Sequence, residues 1–183
     1  MVFALHQIFM HLFFPKFRAI LLLTLSLAGV TSGYAQIVTS DPDWKETEVP
    51  APSAFSVADL SRLVPFEVSG NSELRWAVDP ASIAISNDGL VRYVVVARSP
   101  SGVVNALYES INCGKAEFKI YARYNANGGW KSIEDPQWRS LHDKLPSKHT
   151  LMLARQGACA GTSAAQSAAA MLQALKKFGT STD

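Results

Sequence analysis

The sequence predicts an α+β domain: an antiparallel β-meander of about five to seven strands with C-terminal helices packed on it. Three observations predict it. Residues 91–98 read Val-Arg-Tyr-Val-Val-Val-Ala-Arg and run into Ser99-Pro100-Ser101-Gly102, a β-branched buried strand closed by a tight turn. Residues 73–78 and 116–124 alternate in polarity on either side of it, with connections too short for a parallel crossover. After residue 133 the alternation ends and helix-forming composition takes over, closing in an Ala-rich amphipathic run.

The chain has 183 residues and opens on a leader. Lys16 and Arg18 precede the apolar run 19–30, and Thr31-Ser32-Gly33-Tyr34-Ala35 supplies the small residues of a cleavage site. Residues 1–35 are therefore expected to be a signal peptide cut after Ala35. The apolar run is shorter than the roughly 20 residues of a spanning helix, so no stable membrane span is expected after cleavage. A leader ending at Ala35 exceeds the usual range of about 15–30 residues, whereas initiation at Met10 falls within it. Lys and Arg total 17 against 15 acidic residues, a net charge of +2. The leader carries Lys16 and Arg18 and no acid, so the mature chain is formally neutral, which argues against nucleic acid as a partner.

Two cysteines remain, Cys113 and Cys159. A lone pair in an exported chain predicts one disulfide, the alternatives being a buried thiol pair or a metal site. Closing that loop restricts the unfolded chain by about 4 kcal/mol in the entropy account. The mature histidines are His142 and His149, and neither clusters with a cysteine as zinc would require.

Residues 36–53 read as a polar linker with Asp41, Asp43, Glu46 and Glu48 followed by Pro50-Ala51-Pro52-Ser53, and residues 54–183 as a single α+β domain. Trp44 is the exception in the linker and is expected to dock on the domain. One or two helical turns are expected over 56–63, then a strand over 65–68 and a turn at Ser69-Gly70-Asn71. Residues 73–78 place Leu74, Trp76 and Val78 on one side and Glu73, Arg75 and Ala77 on the other. Asn87-Asp88-Gly89 predicts a hairpin from the short run 81–85 into residues 91–98. Residues 103–111 alternate less regularly and suit a bulge at Asn105 or cover on both faces. In 116–124, Phe118, Ile120, Ala122 and Tyr124 are assigned one face and Glu117, Lys119, Tyr121 and Arg123 the other. A loop over 125–129 leads to a short strand at 130–133. Asp135-Pro136 predicts a short helix over 136–142. Residues 149–158 have helix-forming composition interrupted at Gly161. A last helix over 164–178 is predicted from Ser163 and Gln166 as a capping box and a stripe of Ala164, Ala168, Met171, Leu172 and Leu175.

The stretches Pro65-Phe66-Glu67-Val68-Ser69, Leu74-Arg75-Trp76-Ala77-Val78-Asp79-Pro80, Asp88-Gly89-Leu90-Val91-Arg92-Tyr93, Ala97-Arg98-Ser99-Pro100-Ser101-Gly102 and Tyr108-Glu109-Ser110-Ile111-Asn112-Cys113 occur in this order. Together they resemble the cryptic neisserial protein-like family of uncharacterised bacterial envelope proteins. The resemblance covers roughly residues 43–159. It implies a periplasmic or membrane-tethered protein and supplies no catalytic residues. Members are often lipoproteins, whereas this chain has no cysteine at the signal junction to acylate.

Arg75, Lys119, Tyr121 and Arg123 are the candidate ligand-binding residues, cations beside an aromatic ring on the polar face of the sheet. Glu73, Glu109 and Glu117 on the same strands offer cross-strand charge pairs that explain those cations without a ligand. Glycine patterns for phosphate and the spacing of a calcium loop are missing, so neither cofactor nor metal is expected. The leading expectation is a secreted periplasmic domain that binds or scaffolds a periplasmic protein or an anionic envelope component without catalysis. The alternative is a hydrolase acting on envelope material through His142 or His149.

Overall fold

The computed structural model describes residues 43–53, 55–56, 59–68, 72–125 and 129–179. The leader expected at 1–35, residues 36–42 and the turn expected at Ser69-Gly70-Asn71 lie outside them.

Strand β4 (Leu90–Arg98) is the middle of the sheet, buried at every position except Arg98. Its β-branched run can be apolar on both faces because both are covered. It pairs antiparallel with β2 (Arg75–Val78), with the two-residue β3 (Ala84–Ile85), and along its whole length with β5 (Val104–Asn112). Strand β1 (Val64–Phe66) extends the sheet beyond β2, and β6 (Glu117–Asn125) and β7 (Gly129–Ser132) extend it beyond β5. The order β1-β2-β4-β5-β6-β7 is antiparallel throughout. Gly89 (φ +77°) and Gly102 (φ +86°) take left-handed backbone at the turns on either side of β4, where a side chain would be strained.

One face carries the helices. Phe66, Trp76, Val78, Val91, Tyr93, Val95, Ile111 and Phe118 form a core with Leu153, Met171 and Leu175 from the C-terminal region. Met171 and Leu175, the heart of the predicted stripe, are fully buried there. The other face holds a smaller cluster of Phe55, Val94, Val96, Ala106, Tyr108 and Ala122. Cys113, just past β5, is disulfide-bonded to Cys159, with Cα atoms 5.7 Å apart.

The secondary structure departs from the sequence expectations at several places. The predicted helix over 136–142 is not formed: Asp135 takes a left-handed φ of +51°, and β8 (Arg139–Ser140) pairs with β6. Leu141 N–H, a donor a helix would use, instead donates to Ala116 O in the turn before β6 at 2.8 Å. Residues 149–158 divide into α1 (His149–Leu153) and a π-helical turn (Ala154–Ala158). Residues 163–164 do not cap a helix but form β10 (Ser163–Ala164), a hairpin with β9 (Cys159–Ala160) that the disulfide anchors. Helix α2 (Ala168–Gly179) starts later, with Ser167 Oγ accepting Ala170 N–H at 3.1 Å. Of the two explanations offered for 103–111, cover on both faces holds, since residues 108–111 are all buried, whereas Asn105 pairs in register with Ala97 and forms no bulge. Of the turns expected over 56–63, Val57 and Ala58 lie outside the described residues; Leu63 N–H donates to Leu60 O at 3.3 Å.

Candidate functional site

Residues 43–53, polar and Pro-containing, lie as a strap on the sheet face opposite the helices. Trp44 docks as expected. Its Nε1–H donates to Asp88 O at 2.8 Å, its ring meets Trp138 edge-on at 6.4 Å, and Lys115 Nζ sits 5.0 Å from its centroid. Arg92 and Asp88, with side chains only 1% and 2% exposed, form an ion pair at 2.7 Å. Both also hold the strap: Arg92 donates to Thr47 O at 2.7 Å, and Asp88 accepts Thr47 N–H at 2.9 Å. Arg92 donates to Ser86 Oγ as well. Farther along, Tyr108 O–H donates to Val49 O at a long 3.4 Å and Trp130 Nε1–H to Pro52 O at 2.8 Å. Phe55 then enters the core beside Tyr124 and Trp130, at 5.2 and 5.6 Å between rings.

Lys119 and Tyr121 converge on Glu46 of this strap, each at 2.5 Å from a carboxylate oxygen. Tyr121 O–H also shares a 2.7 Å hydrogen bond with Ser110 Oγ. Lys119 Nζ lies 4.7 Å from the Trp138 ring centroid and 5.7 Å from that of Tyr121. Burial raises the Tyr121 pKa most, and the hydrogen bond to Glu46 raises it further, so its hydroxyl remains a donor. Between strap and sheet lies a cleft of about 420 Å³, walled by Glu46, Glu48 and Val49 on one side and Tyr108, Lys119 and Tyr121 on the other.

The other two predicted residues are elsewhere. The pairing shifts by one residue between Tyr108↔Ala122 and Glu109↔Ile120, leaving Tyr121 as the extra residue of a bulge. Lys119, Tyr121, Ala122 and Tyr124 therefore share the strap face, while Arg123, opposite Leu107, passes to the helix face. There it rims a cleft of about 640 Å³ with Trp76, Ala97 and Leu107. Arg75, exposed and opposite Arg98, is separated from β6 by β4 and β5. The strict alternation read over 116–124 thus fails at a single residue, and the four candidates divide.

Glu109, expected to be available for cross-strand charge pairing, is fully buried beneath the helices. It accepts Tyr93 O–H at 3.1 Å and lies 3.0 Å from His149 Nε2. Burial first, and Glu109 second, raise the Tyr93 pKa well above its ordinary value. The His149 ring stacks on Trp76 at 4.2 Å with 3° between planes, and its Nδ1 lies 3.1 Å from Ser147 Oγ. In the tautomer with the proton on Nε2, each donor has an acceptor: Nε2–H has Glu109, Ser147 O–H has Nδ1, and His149 N–H has Ser147 Oγ at 3.2 Å. Ser147 lines an open cleft with Val68, Ser99 and Lys148. His142 is exposed, with its N–H on Ser140 Oγ. Among the described residues no three His, Cys, Asp or Glu side chains converge as a metal site would need, and no helix is long and apolar enough to cross a membrane.

Sequence reasoning passed over Arg92 and its partner Asp88, which it read only as a hairpin residue, took Glu109 for a cross-strand charge partner, and passed over Ser147. A signal existed for the first pair: an Arg inside an apolar strand needs a buried partner, and Asp88 stands four residues earlier at the hairpin.

An antiparallel sheet with helices on one face, a strap on the other and a disulfide from the end of β5 to β9 defines a small α+β domain with a cleft between strap and sheet. The chain belongs to the CNP1-like family, whose model matches residues 39–176. No curated protein and no solved structure matches it.

Proposed function

We propose that this CNP1-like protein is a periplasmic envelope protein that acts by binding or scaffolding, its partner being another periplasmic protein or an anionic envelope component. Export is supported by the leader at residues 1–35 and by the Cys113–Cys159 bond, which persists in an oxidising compartment. The observation that carries the binding reading is the cleft of about 420 Å³, where a cation, a tyrosine hydroxyl and a carboxylate meet beside apolar surface. A photo-crosslinking residue in place of Ser132, on the cleft wall, tests it in intact cells. Discrete adducts with a periplasmic component are expected, and an adduct-free protein overturns the reading. Terminal sequencing of the same material tests export, with Gln36 as the expected first residue.

A second reading, hydrolysis of an ester in envelope material, rests on the Ser147–His149–Glu109 array, with links of 3.1 and 3.0 Å. Against it, Ser147 Oγ is two residues from the imidazole and already accepts its backbone N–H, and Nε2 faces the core. Ser147→Ala decides between them. An esterase activity that this change abolishes, in a folded protein, would establish the second reading.

A further inference from the structure

The strap meets the sheet as a bound peptide meets its receptor. Pro50 and Pro52 fix their own φ and force Val49 and Ala51 toward extended geometry, so this stretch is held open before it touches anything. Its backbone belongs to no helix or strand. Carbonyls of Thr47, Val49 and Pro52 are instead read one after another by side-chain donors of the sheet: Arg92, Tyr108 and Trp130, at 2.7, 3.4 and 2.8 Å. The carboxylate of Glu46 is clamped at one end by Lys119 and Tyr121, each at 2.5 Å. Tyr121, Tyr108 and Trp130 form a continuous aromatic row beneath it, with successive ring centroids 5.4 and 6.3 Å apart. Proline-containing segments are recognised in this way in general: an aromatic groove takes the preformed extended chain, and side-chain donors take its carbonyls. The strap also underfills its groove, since the cleft of about 420 Å³ remains between the two.

We infer that this groove is a recognition site for an extended acidic peptide of the form Glu-x-x-apolar-Pro-x-Pro, and that residues 43–53 are its tethered occupant. The ligand is a segment of a partner protein that binds by displacing the strap. The inference rests on the binding reading above and names its ligand class. Tethering supplies the strap at an effective concentration on the order of millimolar, so an external peptide meets a largely occupied groove.

The test uses the full chain and a fluorescent synthetic peptide with the sequence of residues 43–53, followed by anisotropy. Wild type is expected to bind weakly. Trp44→Ala with Glu46→Ala loosens the tethered copy and is expected to tighten peptide binding by about tenfold. Adding Trp130→Phe removes the donor to the Pro52 carbonyl and is expected to reverse the gain, and a peptide with Gly at both prolines is expected not to bind. If the double variant fails to fold, Glu46→Gln, which keeps the shape and removes the charge, is read in its place with a smaller gain. A folded variant that binds no peptide, or binds no better than wild type, overturns the proposal. A loosened variant that dimerises by exchanging straps overturns the choice of occupant in favour of a second copy. Crosslinks at Ser132 in cells without peptide binding in vitro would remove this ligand class and leave the binding function standing.

Discussion

Arg92 and Glu109 are charged residues at buried positions of the two central strands, and each is tolerable only because its partners are fixed. Breaking such a pair costs more than losing a surface ion pair, because the surviving charge keeps its desolvation penalty. Asp88→Asn is therefore expected to lower the unfolding free energy at neutral pH by about 3–5 kcal/mol, read from the urea midpoint. The pH dependence has a definite sign. Burial acts to raise the Asp88 pKa, but hydrogen bonds from Arg92, Thr47, Ser86 and Leu90 outweigh it and hold the carboxyl well below the usual carboxylate range. The stability it contributes is whole above its unfolded pKa of about 3.9 and is lost as pH falls toward the folded value. Wild type should weaken as pH drops below about 4, and the Asn variant should show a shallower acid limb. Parallel limbs would contradict this role for Asp88. On the helix side, Glu109→Ala leaves the Tyr93 hydroxyl and the His149 ring without their acceptor, at about 1–3 kcal/mol for each orphaned group, which a lowered thermal midpoint would register. Arg92 was legible as an anomaly in an apolar strand. Glu109 was read as a cross-strand charge partner, because the irregular pattern of its strand did not assign it to the covered face.

Among the elements, strands were more legible than helices. Short loops and alternating polarity are local, and they were enough to order β4, β5 and β6 as antiparallel neighbours. The C-terminal half obeys longer-range constraints. Gly157 lies in the π-helical turn where an added Cβ would stand 2.8 Å from Met171 O and 3.0 Å from Ala174 Cβ. The turn and α2 can approach this closely only because that position has no side chain. Gly157→Ala is expected to cost about 1–3 kcal/mol through overpacking, measured by denaturant unfolding. Gln156, beside it, seals the sheet edge: its Oε1 accepts Glu67 N–H at 3.2 Å and its Nε2–H donates to Glu67 O at 2.6 Å. Those bonds occupy backbone groups that would otherwise offer an open strand edge. Gln156→Ala should therefore speed amide exchange at Glu67 and lower stability by about 1–3 kcal/mol.

For the whole molecule, the disulfide joins the sheet to the helical region across a sequence separation of 46 residues. Reduction, or Cys113→Ala with Cys159→Ala, is expected to lower stability by about 2–5 kcal/mol, seen as a drop in the thermal midpoint on adding a thiol reductant. An unchanged midpoint would mean that the bridge adds nothing to a core already complete without it. The sequence by itself determined the fold class, the antiparallel neighbours and the cysteine pairing, because each rests on local pattern or on there being only two cysteines to pair. Tertiary structure decided which side chains meet. One extra residue in β6 sent Arg123 to the helix face and left Lys119 and Tyr121 on the other. The strap closed on that pair through Glu46, 73 residues from Lys119 in the chain. Alternation within a strand carries no record of a one-residue slip in pairing, and linker-like composition carries none of the distant donors that bind it.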